Sequence, residues 1–386
     1  MVDATRKRIE WIFDNFDNIV VSISGGKDST VLAYMTLQEA HKRNRKVGIF
    51  FLDEEVVYQS TIDQVRYIMN LYPENTIKLW YQLEFNLTNA TSIDETQFKV
   101  WDHEKQDVWL RPKEKDSIKQ PTWNVNKQTI ANKKKGFGFY DALDNFQLTY
   151  ENTAYLIGLR ASESLNRWRA VIKNPGIPNI YWSTKRPQGN FQMYPLYDWN
   201  FQDIWRFLYE NNIRYSKIYD YQYKKGLGMK DMRVSSLIHE RAFKSLVELP
   251  EFEPQTYDKL MARTKGIQVG NIYGKDDLML KCRKLPKNYD NWIQYRDFLL
   301  STIKDESIKQ IFTKRFSKQL NNNYVARQQC KQLILNDYEN NLPINNREDE
   351  REKKLNYWKG VLYENNWKWE RKNKIAVFWY GSSWYW

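Results

Sequence analysis

The sequence predicts an α/β fold, with a parallel sheet and crossover helices in the first half of the chain and a mainly helical C-terminal part. Three observations predict it. Apolar, β-branched and aromatic runs stand at Ile19–Ser24, Val47–Leu52, Ile77–Leu83 and Tyr155–Leu159. The first two are each followed by a helical pattern, and strands joined by crossover helices pair in parallel. From Pro195 onward the texture changes to amphipathic helical spacing.

The elements follow in chain order. The opening stretch MVDATRKRIEWIFDNF reads as an amphipathic helix without the apolar core of a signal peptide. The first strand runs into Ser24-Gly25-Gly26-Lys27-Asp28-Ser29 and then a helix, the second ends in FFLDEEVVY, and the fourth ends in GLRASESLNRW. Between the third and fourth lies a long polar and aromatic insert, residues 86–150, with VWDHEKQDVWLRPKEK and NKKKGFGFY inside it. A connection that long with few strand signals is functional or mobile in character. Beyond Pro195, Asp198 or Asn200 caps a helix that carries Ile204, Phe207 and Leu208, and Asp290–Phe312 and Arg347–Tyr363 read as further helices. NREDEREKK reads as a solvated helix face, and IAVFWYGSSWYW as a buried strand or docking tail.

Composition narrows the function. At 386 residues with 41% apolar residues the chain can build two domains, with a boundary expected at residue 220. Sixty Lys+Arg against 47 Asp+Glu give a formal charge of +13, which favours anionic partners: nucleotides, nucleic acid or an acidic protein. No apolar run approaches the roughly 20 residues that span a bilayer, so no membrane association and cytoplasmic residence are expected. Cys282, Cys330, His41, His103 and His239 match no metal-ligand spacing, so neither zinc nor an iron–sulfur cluster is expected.

The glycine-lysine-aspartate turn carries the chemistry. A strand, a glycine turn and a helix start aim unpaired amides and the positive end of the helix dipole at an anion. A Walker A loop is excluded, because Val21 stands at the position of its first glycine and Asp28 follows the lysine in place of Ser or Thr. SGGKDS instead resembles the signature of the PP-loop ATP pyrophosphatases, which include phosphoadenosine phosphosulfate (PAPS) reductases and tRNA thiolation enzymes. The resemblance implies an adenine nucleotide alpha hydrolase-like, Rossmann-like domain over residues 1–220 and ATP cleavage between the α- and β-phosphates. It implies that Ser24, Gly25, Gly26, Lys27, Asp28 and Ser29 hold phosphates, with Asp28 on Mg²⁺ or orienting the loop.

GLRASESLNRW resembles the GxRxxES element of the same reductases. That implies close approach at Gly158, an anion contact from Arg160, and Glu163 and Arg167 along the site, with Lys27, Asp28 and Arg160 as the catalytic set. Asp53, at the end of the second strand, either meets a ribose hydroxyl or magnesium, or caps a helix with Glu54 and Glu55 behind it. WDHEKQDVWLRP, GLRASES and DMRVSSLIHE together are similar to the IbrA subfamily, which carries an extra C-terminal domain and is found beside a ParB/sulfiredoxin-like partner. Cys282 and Cys330 lack the Glu-Cys-Gly flanks of a reductase nucleophile, so true PAPS reduction is not expected, and each reads as an inert thiol. Three functions stay open: an adenylating ATP pyrophosphatase, a nucleotide-binding regulatory module, and a nucleic-acid binder using Lys133, Lys134 and Lys135 with the neighbouring aromatics.

Overall fold

The computed structural model describes residues 1–91, 95, 97–123, 137–172, 175–229, 232–239, 246, 248–264, 285–286, 288–303, 305–337, 340, 342 and 344–346. Arg347–Tyr363, the C-terminal aromatic run, Cys282 and Lys133–Lys135 lie outside them, as does all but the first residue of NREDEREKK.

Helix α1 (Val2–Asn15) buries Thr5, Ile9, Ile12 and Phe13. It leads into β1 (Asn18–Ser22), α2 (Lys27–Lys42), β2 (Val47–Leu52), α3 (Gln59–Met69) and β3 (Thr76–Tyr81). β2 is buried along its whole length, as suits a strand covered on both faces of a parallel sheet. The insert contains more structure than its sequence suggests. An antiparallel hairpin of β4 (Phe85–Thr88) and β5 (Gln97–Val100) is followed, further on, by α4 (Phe139–Gln147). The chain then returns to the sheet as β6 (Thr153–Ile157), continues through α5 (Leu165–Ile172) to β7 (Ser183–Lys185) and β8 (Phe191–Met193), and leaves it as α6 (Phe201–Glu210) and α7 (Ile218–Lys224). Asn200 caps α6 reciprocally with Asp203, each bond 2.9 Å, while Asp198 pairs with Arg8 at 2.6 Å.

Strand order is β3-β2-β1-β6-β8-β7, parallel except for β7. The chain builds outward from β1 through β2 to β3 and then crosses to the other side of β1. The switch point therefore lies between the carboxyl ends of β1 and β6, where open α/β sheets bind ligands.

Period-two alternation assigns the two faces. Ile19, Val21, Ile49 and Phe51 pack with α1, α2, α3 and α6, around the buried Trp199. Val20, Phe50, Leu52, Leu79, Tyr81 and Tyr155 face the other way, against the insert (Phe98, Trp101, Phe146) and against Met232, Leu237, Leu249, Phe252 and Leu260. The segment after residue 220 thus shares a core with the sheet at least as far as Leu260. Farther on, the expected helix at Asp290–Phe312 is two helices, Trp292–Thr302 and Glu306–Phe316, because Asp305 caps a new start through the Ser307 and Ile308 amides. No helix among the described residues is long and apolar enough to cross a membrane.

Candidate functional site at the switch point

The turn after β1 requires glycine at Gly25. Gly25 has φ of +70°, and a Cβ there would lie 2.7 Å from Thr61 Cγ2. Gly26 is the N-cap of α2, and its carbonyl accepts from Ser29 Oγ at 3.0 Å and Thr30 Oγ1 at 2.9 Å. The Ser24 amide donates to Ser29 Oγ at 3.2 Å, so Ser24 and Ser29 brace the turn from inside. Gly158, just past β6, passes against the same helix start. A Cβ on it would meet Asp28 C and Ser29 N at 3.1 Å, so the close approach made here is between two stretches of backbone.

Charges alternate across this junction. Lys27, only 4% exposed, places Nζ 3.2 Å from Asp28 Oδ2. Burial lowers its pKa, and the Asp28 carboxylate works against that fall. Asp28 Oδ1 accepts from Arg160 Nε. Arg160, also buried, reaches Ser162 Oγ at 3.3 Å and Glu163 Oε1 at 3.1 Å, and the other Glu163 oxygen pairs with Arg167. Lys27, Asp28, Arg160, Glu163 and Arg167 therefore form one continuous ladder, assembled from the ends of β1 and β6. Both Asp28 oxygens face cations in this arrangement, one Lys27 and the other Arg160, so its carboxylate spaces the two positive side chains.

Residues that sequence reasoning did not single out close the junction. The Lys27 amide donates to the Tyr219 hydroxyl at 3.0 Å, and Lys27 Nζ lies 3.4 Å from the Met232 carbonyl and 5.3 Å from the centre of the Tyr219 ring. Burial pushes the Tyr219 phenol well above its ordinary value. Arg233 follows Met232, and its backbone is held by Gln222 through bonds of 3.0 and 2.7 Å. The only sequence signal was the Ile218-Tyr219-Asp220 ending of the aromatic segment, which reads equally as packing. Trp199 and Trp205 are packing groups: Trp199 is buried with Nε1 on Thr5, and Trp205 sits edge-on to Tyr215 and Tyr219.

Asp53 is put to another use than either one expected. It is fully buried, and its carboxylate accepts from Trp80 Nε1 (3.0 Å), Gln82 Nε2 (2.9 Å), the Glu55 amide (2.9 Å) and Arg111. No oxygen is left for a ribose hydroxyl, and the next helix begins only at Gln59. Glu55, at φ of +60°, is buried against Arg263 and accepts the Trp101 amide at 2.6 Å. Burial pushes the Glu54 carboxyl up to about 7, opposed by a hydrogen bond with Ser236 and reinforced by the Asp53 charge.

Cys330 is buried, with Sγ 3.6 Å from the Trp292 carbonyl. Glu84, Asp102 and His103 converge within metal-binding range, but Lys99 Nζ lies 3.1 and 3.2 Å from the two carboxylates and already supplies the positive charge.

The model of the phosphoadenosine phosphosulfate reductase domain matches residues 18–229, more than half of the chain. The chain belongs to that family. Its PAPS reductase domain is followed by a match to a domain of unknown function, DUF3440, over residues 226–361. The PAPS reductase-like chain is 27% identical over 319 residues to the uncharacterized protein YbdN of Escherichia coli (strain K12), covering 80% of this chain and 76% of YbdN. It is 22% identical to the adenosine 5'-phosphosulfate reductase of Staphylococcus saprophyticus, over 57% of this chain and 73% of that enzyme. Among solved structures, the phosphoadenylyl-sulfate reductase of Candida auris aligns at 15% identity and a TM-score of 0.32, covering 56% of this chain and 84% of that one.

Proposed function

We propose that this PAPS reductase-like chain is a PP-loop enzyme that binds ATP at the β1–α2 turn and cleaves it between the α- and β-phosphates. An acceptor attacks the α-phosphorus, the bond from that phosphorus to the bridging oxygen breaks, and AMP passes to the acceptor as pyrophosphate leaves. The observation that carries this reading is the ladder of Lys27, Asp28 and Arg160 at the start of α2, on the switch point of the sheet.

The residues divide the work. Lys27 and the amides of Gly25 and Gly26 face the departing pyrophosphate, where charge develops and a fixed donor is most effective. Asp28 holds Lys27 and Arg160 at one spacing, and Arg160 with Arg167 presents cations toward the α-phosphate and the acceptor. Gly158 lets the Arg160 strand end lie against the loop. Magnesium, if required, arrives on the nucleotide's phosphates, and no step here runs through a protein-held ion.

The test is chromatography of labelled ATP after incubation, with Lys27→Ala and the volume-preserving Lys27→Met as variants. AMP and pyrophosphate are expected, with a loss on the order of 10²–10³ in rate in both variants. ADP as the main product overturns the cleavage position. Tight ATP binding without cleavage under any condition favours a regulatory module.

A further inference from the structure

A cavity of about 480 Å³ opens between the insert and the helix Pro254–Arg263, away from the switch-point ladder, with Trp109, Arg111, Lys113, Lys119 and Lys259 in its lining. Its charge is unbalanced. Among the described residues, Lys113, Lys119 and Lys259 make no ion pair. The acids felt by Lys113 are Glu84, Glu55 and Asp53, and each is engaged elsewhere, with Lys99, Arg263 and Arg111 respectively. Lys113 Nζ stands 5.6 Å from the Trp101 ring centre, and the Arg111 guanidinium stands 5.3 Å from the same centre.

Arg111 supplies a second, independent observation. It is only 6% exposed, donates to the Glu55 carbonyl at 2.6 Å and to Asp53, and yet its buried Nε has no hydrogen-bond partner. A buried donor left unmade is destabilising, and like charges brought together without a counter-ion add to that cost. An oxyanion in the cavity supplies the counter-charge that Lys113, Lys119 and Lys259 lack beside Arg111.

We propose that this cavity is a binding site for a small, multiply charged oxyanion, a phosphate- or sulfate-bearing molecule, held by Lys113, Lys119 and Lys259 above Arg111. Its volume falls within the roughly 300–1,000 Å³ range of small-molecule pockets. The site joins the insert to the second family segment, and Arg111 ties it to Asp53 at the end of β2. It stands independently of ATP cleavage at the loop.

Calorimetric titration of the full chain with inorganic tripolyphosphate tests the assignment, in a Lys27→Ala background that removes the loop's own phosphate lysine. Binding is expected to persist there and to weaken at least about tenfold when Lys113→Ala and Lys259→Ala are added, since each removes a charge-assisted contact. The exposed pair Lys314→Ala with Lys318→Ala, which removes the same charge, is expected to leave binding unchanged. Absence of tripolyphosphate binding in the Lys27→Ala chain overturns the site, as does equal weakening by the two double substitutions. A short oligonucleotide that binds through Lys113 and Lys259 while tripolyphosphate does not also overturns it.

Discussion

Arg263 grips Glu55 with two hydrogen bonds, 2.7 and 3.1 Å long, and both side chains are buried. Arg263 belongs to the DUF3440 match and Glu55 to the PAPS reductase domain, so an ion pair in the interior ties the two family segments together. Removing one partner of a buried pair leaves the other charge without compensation. Arg263→Ala is therefore expected to lower unfolding free energy by about 3–5 kcal/mol, read from urea midpoints. Glu55→Gln with Arg263→Met in one chain should recover part of that loss, because neither residue then carries a charge.

The Tyr219 hydroxyl occupies the Lys27 amide at 3.0 Å, and a phosphate seeking that amide must displace it. Tyr219→Phe keeps the ring and removes the competitor. Affinity for a non-hydrolysable ATP analogue is expected to rise about two- to tenfold, the equivalent of one ordinary hydrogen bond. Weaker binding would assign the hydroxyl to the nucleotide instead.

Gly158→Ala tests the contact between the two loops. The added methyl carbon would sit 3.1 Å from backbone atoms of Asp28 and Ser29, which cannot rotate away as a side chain can. Overpacking of this kind costs about 1–3 kcal/mol, and the helix start it displaces carries the charge ladder. A lower melting temperature together with weaker nucleotide binding is expected. An unchanged melting temperature would mean that the loop yields freely.

Glu54 titrates near neutrality, raised from 4.5 to about 7. A raised carboxyl binds its proton more tightly in the folded chain. Its contribution to stability is thus fully present below pH 4.5 and is lost as pH rises to about 7, beyond which the loss is complete. Glu54→Gln stays neutral throughout. The stability of this variant relative to the parent should therefore rise across that window and then level off, as measured by urea midpoints at a series of pH values. A difference that does not change with pH would show that Glu54 has an ordinary affinity for its proton.

β1, β2, β3 and β6 were legible because they are apolar, β-branched or aromatic runs, and the β1–α2 turn because glycine, lysine and aspartate stand together in sequence. β7 (Ser-Thr-Lys) and β8 (Phe-Gln-Met) are three-residue strands without such a run. Asp198 and Asn200 were equal candidates for the cap of α6, and the structure gives the role to Asn200, with Asp203 returning the bond. The hairpin in the insert left little trace: Gln97, Phe98, Lys99 and Val100 alternate over a single short strand. Asp53 looked like a ligand contact because it follows a strand, but its partners come from two distant segments, Trp80 and Gln82 at the end of β3 and Arg111 in the insert, and no local spacing around Asp53 encodes that convergence. For the same reason neither Arg263 nor the Tyr219 hydroxyl could be assigned its contact before the fold was known.

Glu253 lies in the DUF3440 match, and its two oxygens accept the amides of Gln59 and Ser60 at 2.7 and 2.9 Å, the first turn of α3. A helix in the first half of the chain thus has its opening amides satisfied by a residue 194 positions downstream of Gln59. The family boundary near residue 229 is crossed by a shared core and by hydrogen bonds. A chain ending there would leave the sheet face that packs against the insert without Met232, Leu237, Leu249, Phe252 and Leu260, and the first turn of α3 without the Glu253 carboxylate, so the second segment completes the interior of the first.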